Sequence, residues 1–205
     1  MPTIPEKISA FFESFPLKQY AKGSQLLFPD EVVPPVSYLI KGKVAQYSIT
    51  ASGIKHILTI YKPGAFFPMS CAVNNKPNTY FFEALEALQV RQAPATEVVA
   101  FLREQPDVLF NLLQRLYSGV DGLLGRMSLL MNGSAHSRLL FELAIAGDRF
   151  GVRQPDGSIL IHITESQLAS QTGLARETVS RELQKCAEDG AVKLARGSIV
   201  VLSQS

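Results

Sequence analysis

Cysteine is scarce in this 205-residue chain, tryptophan is absent and histidine occurs three times. The two cysteines, Cys71 and Cys186, cannot build a disulfide framework, so the chain reads as a protein of a reducing compartment. They also fall short of the thiolates that an iron–sulfur cluster needs, which argues against that cofactor. No apolar run approaches the roughly 18 residues of a membrane span. The first residues, Met1-Pro2-Thr3-Ile4-Pro5-Glu6-Lys7, lack the apolar core of a signal peptide. The expectation is a cytoplasmic protein with no membrane partner. An excess of charge is missing too: 20 Lys and Arg against 18 Asp and Glu leave +2, too balanced to announce a nucleic-acid partner. No nucleophile elbow, phosphate-binding loop, His-Glu-x-x-His or paired metal-ligand spacing occurs, so an enzyme is not the expected reading.

What is present is apolar content, 46%, enough for a real core, and two changes of character along the chain. Residues 6–14 suggest a short helix. From about Phe15 to Val90 the segments are short, β-branched or aromatic, and broken by Gly, Pro and Asn. Residues 37–40 and 44–49 flank Lys41-Gly42-Lys43, which reads as a tight hairpin, and Thr50-Ala51-Ser52-Gly53 marks a second hairpin into residues 54–61. Short strands at this spacing favour an antiparallel roll.

From Thr96, read as an N-cap, the pattern becomes helical, with Pro106 placed where a new helix can begin. Over residues 106–131, Leu109, Leu113, Leu116, Val120, Leu123, Met127 and Leu130 alternate in steps of four and three, a heptad seam. The helix would run roughly 39 Å. Gly119, Gly122 and Gly125 weaken it by about 1 kcal/mol each relative to Ala, yet are small enough for close helix approach. The seam is expected both to form a dimer and to pack on the chain's own roll. Asn132-Gly133-Ser134 reads as a hinge, with Ser134 the next N-cap. The following helix is expected to carry Leu139, Leu140, Leu143 and Ala144 on one face until Gly147. Ile159, Ile161 and Ile163 then alternate as in a half-buried strand.

The most informative stretch is residues 163–183. Thr164 and Gln167 form a capping box. Ala169, Gly173 and Val179 supply the small packed residue, the positive-φ turn and the plug that join two crossing helices. The second helix divides its faces: Val179, Leu183, Cys186 and Ala187 for the core, and Glu177, Ser180, Arg181 and Gln184 outward, with Arg176 at its leading end. Arginine can pair with guanine O6 and N7, and glutamate can accept from cytosine N4. Two short strands around Arg196-Gly197 follow as a wing, on which Lys193 and Arg196 add positive charge. Residues 134–205 hold eight basic and eight acidic residues, so distribution rather than net charge must carry the electrostatics.

The run Arg176-Glu177-Thr178-Val179-Ser180-Arg181, preceded by Thr164 and Gly173, resembles the recognition motif of the CRP/FNR transcription regulators. Residues 38–44 and Lys62-Pro63-Gly64-Ala65-Phe66-Phe67 resemble the β-roll of that family's effector domain. The resemblance implies an α+β chain: an N-terminal antiparallel β-roll over residues 1–105, a long dimerisation helix and hinge over 106–133, and a C-terminal winged helix-turn-helix over 134–205. It implies a homodimer that binds double-stranded DNA at a two-fold symmetric operator and works with RNA polymerase. Carried over by position, Arg176, Glu177 and Arg181 read base edges, and Thr164, Thr178 and Ser180 contact or support the backbone. Ala175 stands where the family often has a capping Ser or Thr. The alternative is a ligand-binding regulatory module that acts through protein contacts.

In the family's cyclic-nucleotide binders, a Gly-Glu pair and a later Arg-Ser or Arg-Thr hold ribose and phosphate. Aligned on Gly64, these positions fall near Pro68-Met69 and Asn78-Thr79, with no acid and no Arg between Gly64 and Tyr80. This disfavours cAMP and cGMP. Lys76 is better read as a solvated loop residue. A haem ligand could come from His56 or Cys71, but a lone strand histidine more often simply packs. Phe66, Phe67, Met69, Tyr80 and Phe82 are the candidate lining of an effector pocket, with aromatic core the plainer reading. The effector stays unassigned.

Overall fold

In the computed structural model the chain forms two compact units, Met1–Leu116 and Tyr117–Ser205. The structure describes residues 2–195 and 197–202. The first unit opens with α1 (Ile4–Glu13), started by a capping box between Thr3 and Glu6 and burying Ile8 and Phe12. Eight strands follow: β1 (Leu17–Tyr20), β2 (Gln25–Leu27), β3 (Val36–Lys41), β4 (Val44–Ile49), β5 (Lys55–Tyr61), β6 (Phe66–Phe67), β7 (Phe81–Ala84) and β8 (Leu88–Ala93), with the short α2 (Met69–Asn74) between β6 and β7. They make two antiparallel sheets, ordered β1-β8-β3-β6 and β2-β7-β4-β5.

The second hairpin forms as expected, β4 pairing with β5 across residues 50–53. The first does not. β3 pairs with β8 and β6, whereas β4 pairs with β5 and β7, so Lys41-Gly42-Lys43 carries the chain from one sheet to the other. Gly42 makes the crossing at φ 95°, and a Cβ there would lie 2.5 Å from Leu88 Cβ. Positive φ and this contact with β8 both require glycine. A Gly between two strand-like runs signals a sharp turn, but local sequence does not say whether the strands it joins pair.

Between the sheets lie Leu27, Leu39, Val44, Phe67, Phe82 and Val90. The rings of Phe67 and Phe82 stack at 5.4 Å, with Tyr61 5.2 Å from Phe67. A second cluster gathers Phe12, Val36, Phe66, Val98, Leu102 and Val108. It brings together α1, α3 (Ala95–Glu104) and the start of α4 (Pro106–Asn132). Successive strand residues face opposite ways, so Phe66 and Phe67 enter different clusters. α3 begins one residue before Thr96, with Pro94 at the N-cap and no side-chain cap bond, so Thr96 lies inside the helix rather than starting it. Pro106 opens α4 as expected, because the first helical position has no N–H partner to lose.

The division between the two units falls inside α4. Its end is tied to α5 (Ala135–Phe150) by three devices. Arg126 Nε and Nη2 engage both carboxylate oxygens of the buried Glu142. Arg138 donates to the Leu129 and Leu130 carbonyls at 3.3 and 3.1 Å, satisfying the last turn of α4. Gly125 lies against the Phe141 ring, where a Cβ would collide. Ser134 caps α5 through the Ser137 N–H, as expected. The turn at residues 132–134, predicted as an interdomain hinge, therefore sits within the second unit. α5 also runs past Gly147 to Phe150 and buries Leu139, Glu142, Leu143 and Ala146; Leu140 and Ala144 are exposed, against expectation. The apolar count misled because Arg126 makes a buried position acceptable to Glu142.

The rest of the second unit comprises β9 (Val152–Arg153), β10 (Ile159–Ile161), α6 (Glu165–Thr172), α7 (Arg176–Glu188), β11 (Val192–Ala195) and β12 (Ser198–Val201). The strands form one sheet, β11-β12-β10-β9. Leu139, Leu143, Ile161, Leu168, Val179 and Leu183 are nearly fully buried at its core, each contributing about 1.5–3 kcal/mol.

Candidate nucleic-acid interface

The interface is built from α6, the turn after it, and α7. The Thr164 hydroxyl accepts from the Gln167 N–H at 3.2 Å, and the Gln167 side chain accepts from the Thr164 N–H at 2.9 Å. This is the capping box the sequence announces. α6 ends at Gly173 in the left-handed conformation, φ 69°, its N–H bonded to the Ala169 carbonyl. Thr172, which sequence inspection passes over, completes the turn. Its buried hydroxyl donates to Leu168 O at 2.8 Å and accepts from Leu174 N–H at 3.3 Å. A threonine immediately before a helix-ending glycine is the signal that could have found it.

α7 starts at Arg176 with Ala175 at the N-cap and no side-chain cap bond, as the missing hydroxyl implies. Val179, Leu183 and Cys186 are buried and Ala187 packs against the same core. Arg176, Glu177, Arg181 and Gln184 are exposed, with Ser180 and Thr178 half-buried. Glu165, in the first turn of α6, reaches across to this helix. Its carboxylate lies 3.7 Å from Arg176 Nε and accepts from the Ser180 hydroxyl at 3.5 Å. Sequence reasoning missed Glu165 because the pairing links residues of two helices.

Glu182 was missed because it lies on the buried side of α7, where an acid is not expected. Buried on α7, it accepts from Lys185 Nζ at 2.9 Å, lies 3.3 Å from His136 Nδ1 on α5, and 3.9 Å from Arg181 Nε. The Lys185 hydrogen bond, aided by His136, holds its pKa below the ordinary carboxylate value against the opposing effect of burial.

The wing is a β11–β12 hairpin, Ala195 facing Ser198. Lys193 is exposed on it; Arg196 lies outside the described residues. Between the wing and the starts of α6 and α7 is a cleft of about 290 Å³, lined in part by Thr164, Glu165, Arg176, Leu194 and Ser198. Hydroxyl donors, the Arg176 cation and the Glu165 carboxylate thus gather on one concave surface beside α7, whose outward face presents Arg176, Glu177 and Arg181.

The other candidates lie in the first unit or on α4. Phe67, Tyr80 and Phe82 belong to the core between the sheets, whereas Phe66 and Met69 belong to the second cluster, so the five are not brought around one cavity. Asn78 is buried and committed to its own loops: its amide donates to Phe28 O at 2.7 Å and its oxygen accepts from Tyr80 N–H at 3.1 Å. Met69 opens α2, a short helix not foreseen. His56 lies on β5 opposite Ser48, and Cys71 is buried on α2, its thiol pKa raised by burial, as is that of Cys186. Among the described residues, no group of three His, Cys, Asp or Glu is placed to hold a metal. None of the described helices is long and apolar enough to cross a membrane. Along α4, all seven seam residues from Leu109 to Leu130 are exposed, between 36% and 61%.

Residues 17–105 match the family model of the cyclic nucleotide-binding domain, and residues 137–204 match that of the Crp-like helix-turn-helix domain. The chain is 25% identical over 197 residues to the cyclic AMP receptor protein of Thermus thermophilus, covering 96% of this chain and 88% of that protein. It is 24% identical over 188 residues to the global nitrogen regulator of Synechocystis, covering 90% and 84%. Its fold is similar to that of a CooA mutant from Carboxydothermus hydrogenoformans, with a TM-score of 0.80 at 21% identity, covering 96% of this chain and 87% of that one.

Proposed function

The chain belongs to the CRP/FNR family of DNA-binding transcription regulators, and from that premise we propose that it acts as a homodimer reading a two-fold symmetric DNA site through α7. The observation that carries this reading is the division of α7: Val179, Leu183 and Cys186 are buried, while Arg176, Glu177 and Arg181 stand exposed behind a glycine turn. In this role Arg176, Glu177 and Arg181 meet base edges from the leading half of the helix, and Thr164, Thr178 and Ser180 meet or support the phosphate backbone. The α4 seam pairs with its counterpart in a second chain, which sets the two recognition helices for half-sites about 34 Å apart. Residues 1–105 serve as the sensor and 134–205 as the DNA-binding domain. The protein works in the cytoplasm, with RNA polymerase as the natural partner of a DNA-bound regulator.

The effector we propose is not cAMP or cGMP. Asn78, near the expected phosphate-binding position, spends its side chain on Phe28 and Tyr80. Stacked Phe67, Phe82 and Tyr61 occupy the space between the sheets. A cyclic phosphate needs a charge-assisted partner, and residues 65–79 offer neither Arg nor acid.

The test is selection of duplex DNA from a random library, followed by binding to the enriched sequence across a salt series. A pseudo-palindromic site is expected, with affinity falling steeply with salt as phosphate contacts release counterions. Failure to enrich any sequence would overturn the DNA reading in favour of a regulator acting through protein contacts.

A further inference from the structure

We propose that Glu165 is a specificity-determining residue: it holds Arg176 in position for base reading and keeps it from the phosphates. The inference rests on the DNA reading above and deepens it. Arg176 is the first residue of α7, and its side chain is two-thirds exposed. A long exposed arginine has many rotamers, and beside DNA the nearest strong acceptors are phosphate oxygens. Contacts to those add affinity to every sequence alike. Holding the guanidinium on a carboxylate lowers that freedom.

Glu165 is placed to do this. It belongs to α6, whose capping box and glycine turn fix it relative to α7. One carboxylate oxygen faces Arg176 Nε at 3.7 Å, and the other accepts from the Ser180 hydroxyl, one turn further along α7. A carboxylate held by two partners keeps its direction better than one held by a single exposed pair, which contributes little on its own. With Nε turned to the carboxylate at ion-pair distance, the two terminal guanidinium nitrogens remain as a fork, the donor geometry that matches guanine O6 and N7. A carboxylate lining the cleft between α6, α7 and the wing also opposes close approach of phosphate wherever Arg176 is not turned toward it. Both effects weaken indiscriminate binding more than cognate binding. They suit a domain whose basic and acidic residues are equal in number.

The experiment compares the wild-type chain, Glu165→Ala, Glu165→Gln, Arg176→Ala and the double variant Glu165→Ala/Arg176→Ala, each put through the same random-library selection. Affinities are then measured for the selected site and for versions changed at single base pairs. Arg176→Ala should flatten preference at one base pair in each half-site. Glu165→Ala should relax preference at that same base pair by about tenfold, raise affinity for unrelated DNA and steepen the salt dependence. Glu165→Gln, which keeps an acceptor but not the charge, should restore part of the preference. In base preference the double variant should match Arg176→Ala alone, since Glu165 acts on selectivity through that arginine. Equal weakening of all sequences by Glu165→Ala, or preference lost at a different base pair, would overturn the proposal while leaving the DNA reading standing. A wild-type chain that enriches no sequence would overturn both.

Discussion

At the scale of single residues, the proposed base reading by α7 depends on few side chains, and their partners are mostly acids. Replacing Arg181 with Ala should cost about 1–3 kcal/mol of binding and relax preference at one base pair. Competition titration with single-base variants of the selected site would show this, and unchanged affinity and selectivity would remove Arg181 from the interface. Ala175 offers a gain instead. It sits at the N-cap with φ −64° and ψ 147°, extended as a cap should be, but has no hydroxyl. Ala175→Ser should stabilise the second unit by about 1 kcal/mol, read as a raised urea midpoint. Glu182 predicts a pH dependence. Its pKa is held below the ordinary 4.5, first by Lys185. A lowered carboxylate stabilises the fold fully above its unfolded value and loses that contribution as pH falls through the folded one. Thermal unfolding followed from pH 7 downward should show stability declining below about pH 4.5, and Glu182→Gln should make the decline shallower.

At the scale of elements, the α4–α5 junction shows how a charged pair can set a helix–helix contact. Glu142 is 3% exposed and Arg126 engages both its oxygens. Removing the arginine would leave a buried carboxylate short of its main partner. Arg126→Ala should therefore destabilise the second unit by about 3 kcal/mol, and Arg126→Ala/Glu142→Leu should recover much of the loss, because an apolar pair avoids the desolvation cost. Denaturant unfolding of both variants tests this; equal destabilisation by the single and the double variant would contradict it. The α4 glycines separate at the same scale. Gly125 is needed where Phe141 packs, whereas Gly119 and Gly122 face open space in the single chain.

At the scale of the whole molecule, α4 leaves a long apolar row uncovered. Leu116 and Leu123 lie near its middle and are 59% and 61% exposed, so a charge there should cost the monomer little and a paired seam much. Leu116→Glu/Leu123→Glu is expected to sediment as a monomer where the wild-type chain sediments as a dimer. It should bind a full palindromic site at least 100-fold more weakly while keeping its half-site affinity, since linkage of two modules typically adds that much. A wild-type chain that sediments as a monomer would remove the dimer from the proposal.

Most of what was legible in the sequence rests on local interactions, although the Thr96 cap, equally local, did not form. The capping box at Thr164, the glycine turn at Gly173, the two faces of α7, the Pro106 start and the 27-residue helix that follows all rest on partners within a few residues. The tertiary structure decided what depends on residues distant in the chain. It showed that Gly42 joins two different sheets, that the aromatic residues near Gly64 divide between two clusters, and that Asn78 is spent on its own loops. It also brought Arg126 to Glu142 and Arg176 to Glu165. A residue's periodicity shows which side of its element it occupies; which partner waits there is set by how the elements pack, and that is not written in any short stretch of sequence.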